Sequence, residues 1–153
     1  MVKEGQKAPA FNLPVGGGGK VALRDHKGKK VVLYFYPRDD TPGCTVEATD
    51  FTALKRKFSA NGIAVIGVSK DTIAKHEKFA DKFSLRITLA SDESGEICEK
   101  FGVWVEKKNY GRKYMGIERT TFLIDQKGIV AKVWRKVKVK NHAEVVLAAA
   151  KEI

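Results

Sequence analysis

The chain has 153 residues, enough for one compact domain and short for two. At 43% hydrophobic residues it can bury a core without metal or cross-links, and two cysteines are too few for a disulfide scaffold. A formal net charge of +11 leaves nucleic acid or an anionic surface open as partners without requiring either.

Residues Met1–Gln6 contain no apolar core of a secretory signal, and no stretch approaches a membrane span. A cytoplasmic protein with one domain over 1–153 is the expectation. Gly16–Gly19 lie between Phe11–Leu13 and Val21–Leu23 and read as the turn of an N-terminal β-hairpin. No Gly-Lys-Ser/Thr follows, which argues against a phosphate-binding loop. Val31–Tyr36 is a continuous apolar and aromatic run, as in a central strand covered on both faces. After Pro37 and a polar loop, Ala48, Phe51, Leu54 and Phe58 recur at helical spacing, predicting a helix over about 45–59 that Asn61-Gly62 ends.

Ile63–Val68 is a second buried strand, so the strand–helix–strand order implies a parallel pair. A helix is predicted over 72–83 with Ile73, Ala80 and Phe83 inward, and a short one near 93–101. Thr120–Ile124 and Ile129–Trp134 flank Asp125–Gly128 as an antiparallel hairpin. The last helix opens at Asn141, with Glu144 three residues on as in a capping box, and Val145, Ala148, Ala149 and Ile153 as its inner face. The basic run Lys132–Lys140 partly alternates and reads as a strand with a solvated face. The sum is an α/β chain with a mixed central β-sheet flanked by helices, the layout of a thioredoxin-like fold.

The segment Tyr36-Pro37-Arg38-Asp39-Asp40-Thr41-Pro42-Gly43-Cys44 follows the carboxyl end of a central strand and enters a helix. Ligand sites of open α/β sheets collect there. A first-turn cysteine faces unpaired N–H groups and the positive end of the helix dipole, which favour its reactive anion. No second cysteine stands at Cys-x-x-Cys spacing, so a local disulfide cannot close. A lone thiolate can instead displace an alkoxide from an O–O bond and become a sulfenic acid. The Thr41 hydroxyl can donate to or accept from the peroxide oxygens, and Gly43 leaves room for backbone N–H groups. Cysteine-protease chemistry would need a partner histidine, and spacing places none. His26, His76 and His142 are scattered without zinc-ligand spacing and read as surface or partly satisfied residues; no metal site is implied.

Pro37-x-x-x-Thr41-x-x-Cys44 resembles the active-site signature of peroxiredoxins. The fuller string Tyr-Pro-x-x-x-Thr-Pro-Gly-Cys-Thr-x-Glu is similar to the peroxiredoxin Q, or bacterioferritin comigratory protein, subfamily. Gly5-x-x-Ala8-Pro9-x-Phe11-x-Leu13, Ser91-Asp92-Glu93 with Cys98-Glu99-x-Phe101-Gly102-Val103-Trp104, and Gly116-Ile117-x-Arg119-x-Thr121–Asp125 extend the likeness over nearly the whole chain. The resemblance implies a thiol peroxidase that needs no cofactor, with hydroperoxide as substrate. Its reductant would be an external thiol such as thioredoxin, glutaredoxin or glutathione, and it leans toward a monomer. It also implies that Cys44 is the peroxidatic residue, that Thr41 holds the peroxide, that Pro37 shields the thiolate, and that Arg119 stabilises it and polarises the peroxide. Glu47 would orient that network or stand as a plain helix-surface carboxylate.

Many subfamily members carry a resolving cysteine five residues after the peroxidatic one, where this chain has Thr49. Cys98 is the only internal substitute, and a buried structural role competes with a resolving one. The working expectation is a one-cysteine cycle, the alternative a Cys44–Cys98 disulfide. Two rival classes remain: a non-catalytic binding module docking nucleic acid or an acidic partner through its basic surface, and a thiol–disulfide protein using Cys44 as a docking thiol.

Overall fold

A computed structural model describes residues 2–153. The chain opens with an antiparallel hairpin, β1 (Asn12–Pro14) and β2 (Lys20–Ala22), in which Leu13 faces Val21. Gly17, Gly18 and Gly19 all take positive φ in its turn, which accounts for a glycine run there. A five-stranded sheet follows, built from β3 (Lys30–Phe35), β4 (Ile63–Ser69), β5 (Thr88–Ser91), β8 (Thr120–Ile124) and β9 (Val130–Trp134). Its order is β5-β4-β3-β8-β9, parallel across β3, β4 and β5 and antiparallel across β3, β8 and β9. Between these strands run α1 (Pro42–Ala53), α2 (Lys55–Ala60), α3 (Ile73–Phe83) and α4 (Glu96–Phe101), the ribbon β6 (Trp104–Asn109) with β7 (Arg112–Ile117), and lastly α5 (His142–Lys151). This is the mixed, helix-flanked arrangement expected of a thioredoxin-like fold.

The period of two in β3 divides the core. Val31, Leu33 and Phe35 pack on one face with Cys98, Phe101 and Phe122. Val32 and Tyr34 point to the other, against Cys44, Phe51, Phe58 and Val146. Phe51 stacks on Tyr34 with ring centroids 4.8 Å apart, fixing α1 against the sheet. Truncating such a ring costs about 3–5 kcal/mol.

Several expectations need correction. The helix over 45–59 is two helices, α1 starting earlier at Pro42, and the chain breaks at Leu54 with φ −97° and ψ 2°. The periodicity survives the break because Phe51 and Phe58 still pack on the same side. In α5 the inner face is Ala143, Val146, Leu147 and Ala150, whereas Val145 and Ile153 are 49% and 44% exposed. In a run of consecutive apolar residues the periodicity admits several phases, and packing selects one. Asn141 has φ 58° and makes no side-chain cap, so the capping box is absent. The basic run is in the sheet only as far as Trp134, and Arg135 Nη2 is bound to Glu118 Oε2 at 2.7 Å rather than solvated. Strand β5 and the β6–β7 ribbon were not anticipated.

Candidate active site

The antiparallel register of β3 and β8 builds the site. Phe35 at the end of β3 sits opposite Thr120 at the start of β8. The loop leaving β3 and the residue preceding β8 therefore meet at one edge of the sheet. The first leads into the first turn of α1 with Cys44, and the second is Arg119.

Pro42 takes the first helical position of α1, where its missing N–H costs nothing, so Cys44 falls in the first turn. Its side chain is only 1% exposed. Arg119 Nη2 donates to Cys44 Sγ at 3.4 Å, and Nη1 donates to Glu47 Oε1 at 2.7 Å. Gly43 makes this approach possible: a Cβ there would lie 3.1 Å from Arg119 Nη2. Burial works against the guanidinium's charge, but Glu47 and Cys44 more than offset it and hold it protonated. Glu47 is buried, not a plain helix-surface carboxylate, and desolvation pushes its carboxyl up to about 7 against the pull of Arg119. Its Oε2 has no partner among the described residues. His142, behind the site, accepts from or donates to Thr121 Oγ1 at 2.8 Å, and burial and then Arg119 lower it to about 4.

Thr41 is the N-cap of α1 without a side-chain cap bond; its hydroxyl donates instead to the Arg38 carbonyl at 2.8 Å. The hydroxyl proton is thus committed within the loop, and its lone pairs remain to accept. Pro37 is exposed on this loop. Thus Arg119 is brought into direct contact with both Cys44 and Glu47, Thr41 stands three residues before Cys44 along the chain, and Pro37 lies at the surface.

Cys98 lies elsewhere. It belongs to the core on the opposite face of the sheet from Cys44 and is 0% exposed. Burial, and then the neighbouring Asp92, push its thiol far up, so it is a poor nucleophile. Thr49, at the place where the resemblance puts a resolving cysteine in many relatives, donates its hydroxyl to the Thr45 carbonyl at 2.8 Å.

A second cluster went unrecognised in the sequence. His76 is fully buried and bonded to Asp39, in the loop carrying Thr41. A histidine one turn into a helix, in phase with Ile73, Ala80 and Phe83, was the available signal.

Residues 4–133 match the AhpC/TSA family. The chain is a peroxiredoxin of that family. A putative peroxiredoxin Bcp of Coxiella burnetii is 53% identical over 146 residues, covering 95% of this chain and 97% of the relative. Peroxiredoxin Bcp of Bacillus subtilis is 49% identical over 152 residues, covering 99% and 97%. Among solved structures, a Xylella fastidiosa PrxQ mutant superposes with a TM-score of 0.94 at 35% identity, covering 99% of this chain and 97% of that one. Peroxiredoxin Q of Xanthomonas campestris gives 0.89 at 45% identity, covering 93% and 90%. Peroxiredoxins are thiol peroxidases: they reduce hydroperoxides and are recycled by thiols. The fold and subfamily resemblance of the sequence are both upheld, and no helix of the described residues is long and apolar enough to cross a membrane.

Proposed function

We propose that this peroxiredoxin works by a one-cysteine cycle at Cys44. The observation that carries it is the guanidinium of Arg119, which reaches Sγ with one nitrogen while Glu47 holds the other. The thiolate attacks the terminal oxygen of ROOH in line with the O–O bond. An S–O bond forms, the O–O bond breaks, and the alkoxide leaves and takes up a proton to become ROH. Sulfur is oxidised by two electrons, and the peroxide is reduced by two.

Arg119 supports both ends of this displacement. Its donors lower the cost of charge on sulfur and on the departing oxygen, and a guanidinium stays protonated throughout. The Thr41 hydroxyl, its proton bound to the Arg38 carbonyl, accepts from the peroxide O–H and turns the distal oxygen toward sulfur. Pro37 closes the outer rim of the site against bulk water. No metal or other cofactor is needed, since sulfur carries the electrons.

An external thiolate then attacks the sulfenic acid: an S–S bond forms, the S–O bond breaks, and hydroxide leaves and takes up a proton to become water. A second thiol frees Cys44. The placement of Cys98 behind the sheet supports external resolution, because bridged Cα atoms must lie within about 7 Å. Thioredoxin, glutaredoxin and glutathione are the reductant classes to test, with a monomeric, cytoplasmic enzyme as the working form. A bacterioferritin comigratory protein of Xanthomonas campestris, 44% identical, is described by its alkyl peroxide reduction activity, which supports organic hydroperoxides as substrates beside hydrogen peroxide.

The test is one equivalent of hydrogen peroxide added to reduced protein with a sulfenic-acid trap, read by intact mass and peptide mapping. Labelling at Cys44 with Cys98 still alkylatable is the expected result. A loss of two hydrogens linking Cys44 to Cys98 would replace external resolution by an internal disulfide. Cys44 unreacted after minutes would remove the peroxidase reading.

A further inference from the structure

His76, on α3, takes no part in the chemistry above, yet it is 0% exposed and held at both ring nitrogens. Nε2 lies 2.9 Å from the Ala90 carbonyl oxygen and Nδ1 2.6 Å from Asp39 Oδ2. A carbonyl only accepts, so Nε2 carries a proton. Two lone pairs cannot face each other at 2.6 Å, so a proton also lies between Nδ1 and Oδ2. The second Asp39 oxygen accepts from the Tyr36 hydroxyl at 2.6 Å. The Asp39 backbone N–H donates to Asp71 Oδ2 at 2.9 Å, and the Ser69 hydroxyl donates to the same oxygen at 2.7 Å.

The titratable groups around the ring thus come from three elements: Tyr36 from the end of β3, Asp39 from the active-site loop and Asp71 from the end of β4. Ligand atoms of Asp39, Asp71 and His76 lie within 4.8 Å of one another, a geometry that invites a metal reading. The 2.6 Å contact argues against it. Tetrahedral ligands at about 2.0–2.1 Å from zinc stand roughly 3.3 Å apart. The shared proton, not a cation, joins this pair.

Its consequence falls on the loop. Asp39 is the midpoint of Pro37–Thr41, and Asp40 beside it takes a left-handed φ of 56°. Arg38, on the other side, supplies the carbonyl that orients the Thr41 hydroxyl. We infer that His76 is a positioning residue for peroxide reduction: through the proton it shares with Asp39 it holds the Arg38–Thr41 segment, and with it the direction in which Thr41 presents its lone pairs to the peroxide. The inference rests on the peroxide-holding role proposed above for Thr41.

The experiment measures the second-order rate constant of Cys44 oxidation by hydrogen peroxide in His76→Phe, Asp39→Ala, Asp39→Asn and Thr41→Val. Folding is checked by circular dichroism, and the thiolate fraction of Cys44 by its ultraviolet absorbance. His76→Phe and Asp39→Ala should oxidise about ten-fold or more slowly with the thiolate fraction unchanged, since small misplacements of a positioning group are costly. Asp39→Asn should stay within about three-fold of the parent. Its amide can donate to Nδ1 of a neutral ring while its oxygen accepts from Tyr36, so the geometry survives with the bond reversed.

A folded His76→Phe that oxidises like the parent would overturn the inference. So would an Asp39→Asn as slow as Asp39→Ala, or a rate loss that follows the thiolate fraction. If His76→Phe does not fold, the two Asp39 variants decide alone. A Thr41→Val variant with the parent's rate would instead remove the role of Thr41 on which the inference depends.

Discussion

Arg119 and Glu47, 72 positions apart in the chain, are joined at 2.7 Å, leaving the other nitrogen of the same guanidinium for Cys44. A lysine at 119 has a single charged centre and cannot hold both partners in one plane. Arg119→Lys should lower the rate constant for Cys44 oxidation roughly 100-fold, the scale for losing one well-aimed donor to developing negative charge. Stopped-flow fluorescence or competition with a peroxidase of known rate would measure it, and a loss under three-fold would contradict the assignment.

Glu47 and His142 have opposite effects on stability as pH changes. The folded-state value of Glu47 is about 7 against an ordinary 4.5, so the folded protein holds this proton more tightly. Its contribution is fully present below about 4.5 and is lost as pH rises through 7, a change of at most about 3 kcal/mol. The folded-state value of His142 is about 4 against 6.5, so its contribution is present above 6.5 and is lost as pH falls toward 4. The parent should show a shallow profile between pH 4.5 and 6.5. In denaturant titrations, Glu47→Gln should leave stability rising with pH there, and His142→Asn should leave it falling.

Gly43→Ala separates stability from activity. Alanine is favoured over glycine in a helix by about 1 kcal/mol, so the variant should melt no lower than the parent. Its Cβ would crowd Arg119 Nη2 at 3.1 Å and push the guanidinium from sulfur. Cys44 oxidation should slow about ten-fold. A variant that is both stable and fully active would show that this contact does not set the rate.

Cys98→Ala addresses resolution. Removing a small buried group should cost about 1–2 kcal/mol in a urea melt while leaving turnover with an external thiol unchanged. If turnover in the same assay collapses in a variant that remains folded, Cys98 is part of the cycle.

Much of the site was legible in the residues themselves. The run Val31–Tyr36, the following Pro, and Thr41-Pro42-Gly43-Cys44 place a thiol at a helix start by local rules alone. Arg119 was placed near Cys44 by family likeness, not by spacing, because nothing local distinguishes it from a solvated arginine before a strand. Asp39 and His76 were missed altogether. An aspartate in a polar loop and a histidine in a helix rich in lysine both have ordinary surface explanations, and 37 positions separate them.

The sequence alone determined a mixed α/β chain, a thiol at a helix start as the candidate nucleophile and the absence of a cysteine at Thr49, since these follow from short-range periodicity, turn chemistry and residue identity. Folding determined which distant groups face that thiol. The register of Phe35 opposite Thr120 delivers Arg119, and the packing of α1 and α4 on opposite faces of the sheet puts Cys44 and Cys98 on opposite sides. Such pairings depend on strand order and side-chain phase across the whole domain, and a one-residue change of register would reverse every face.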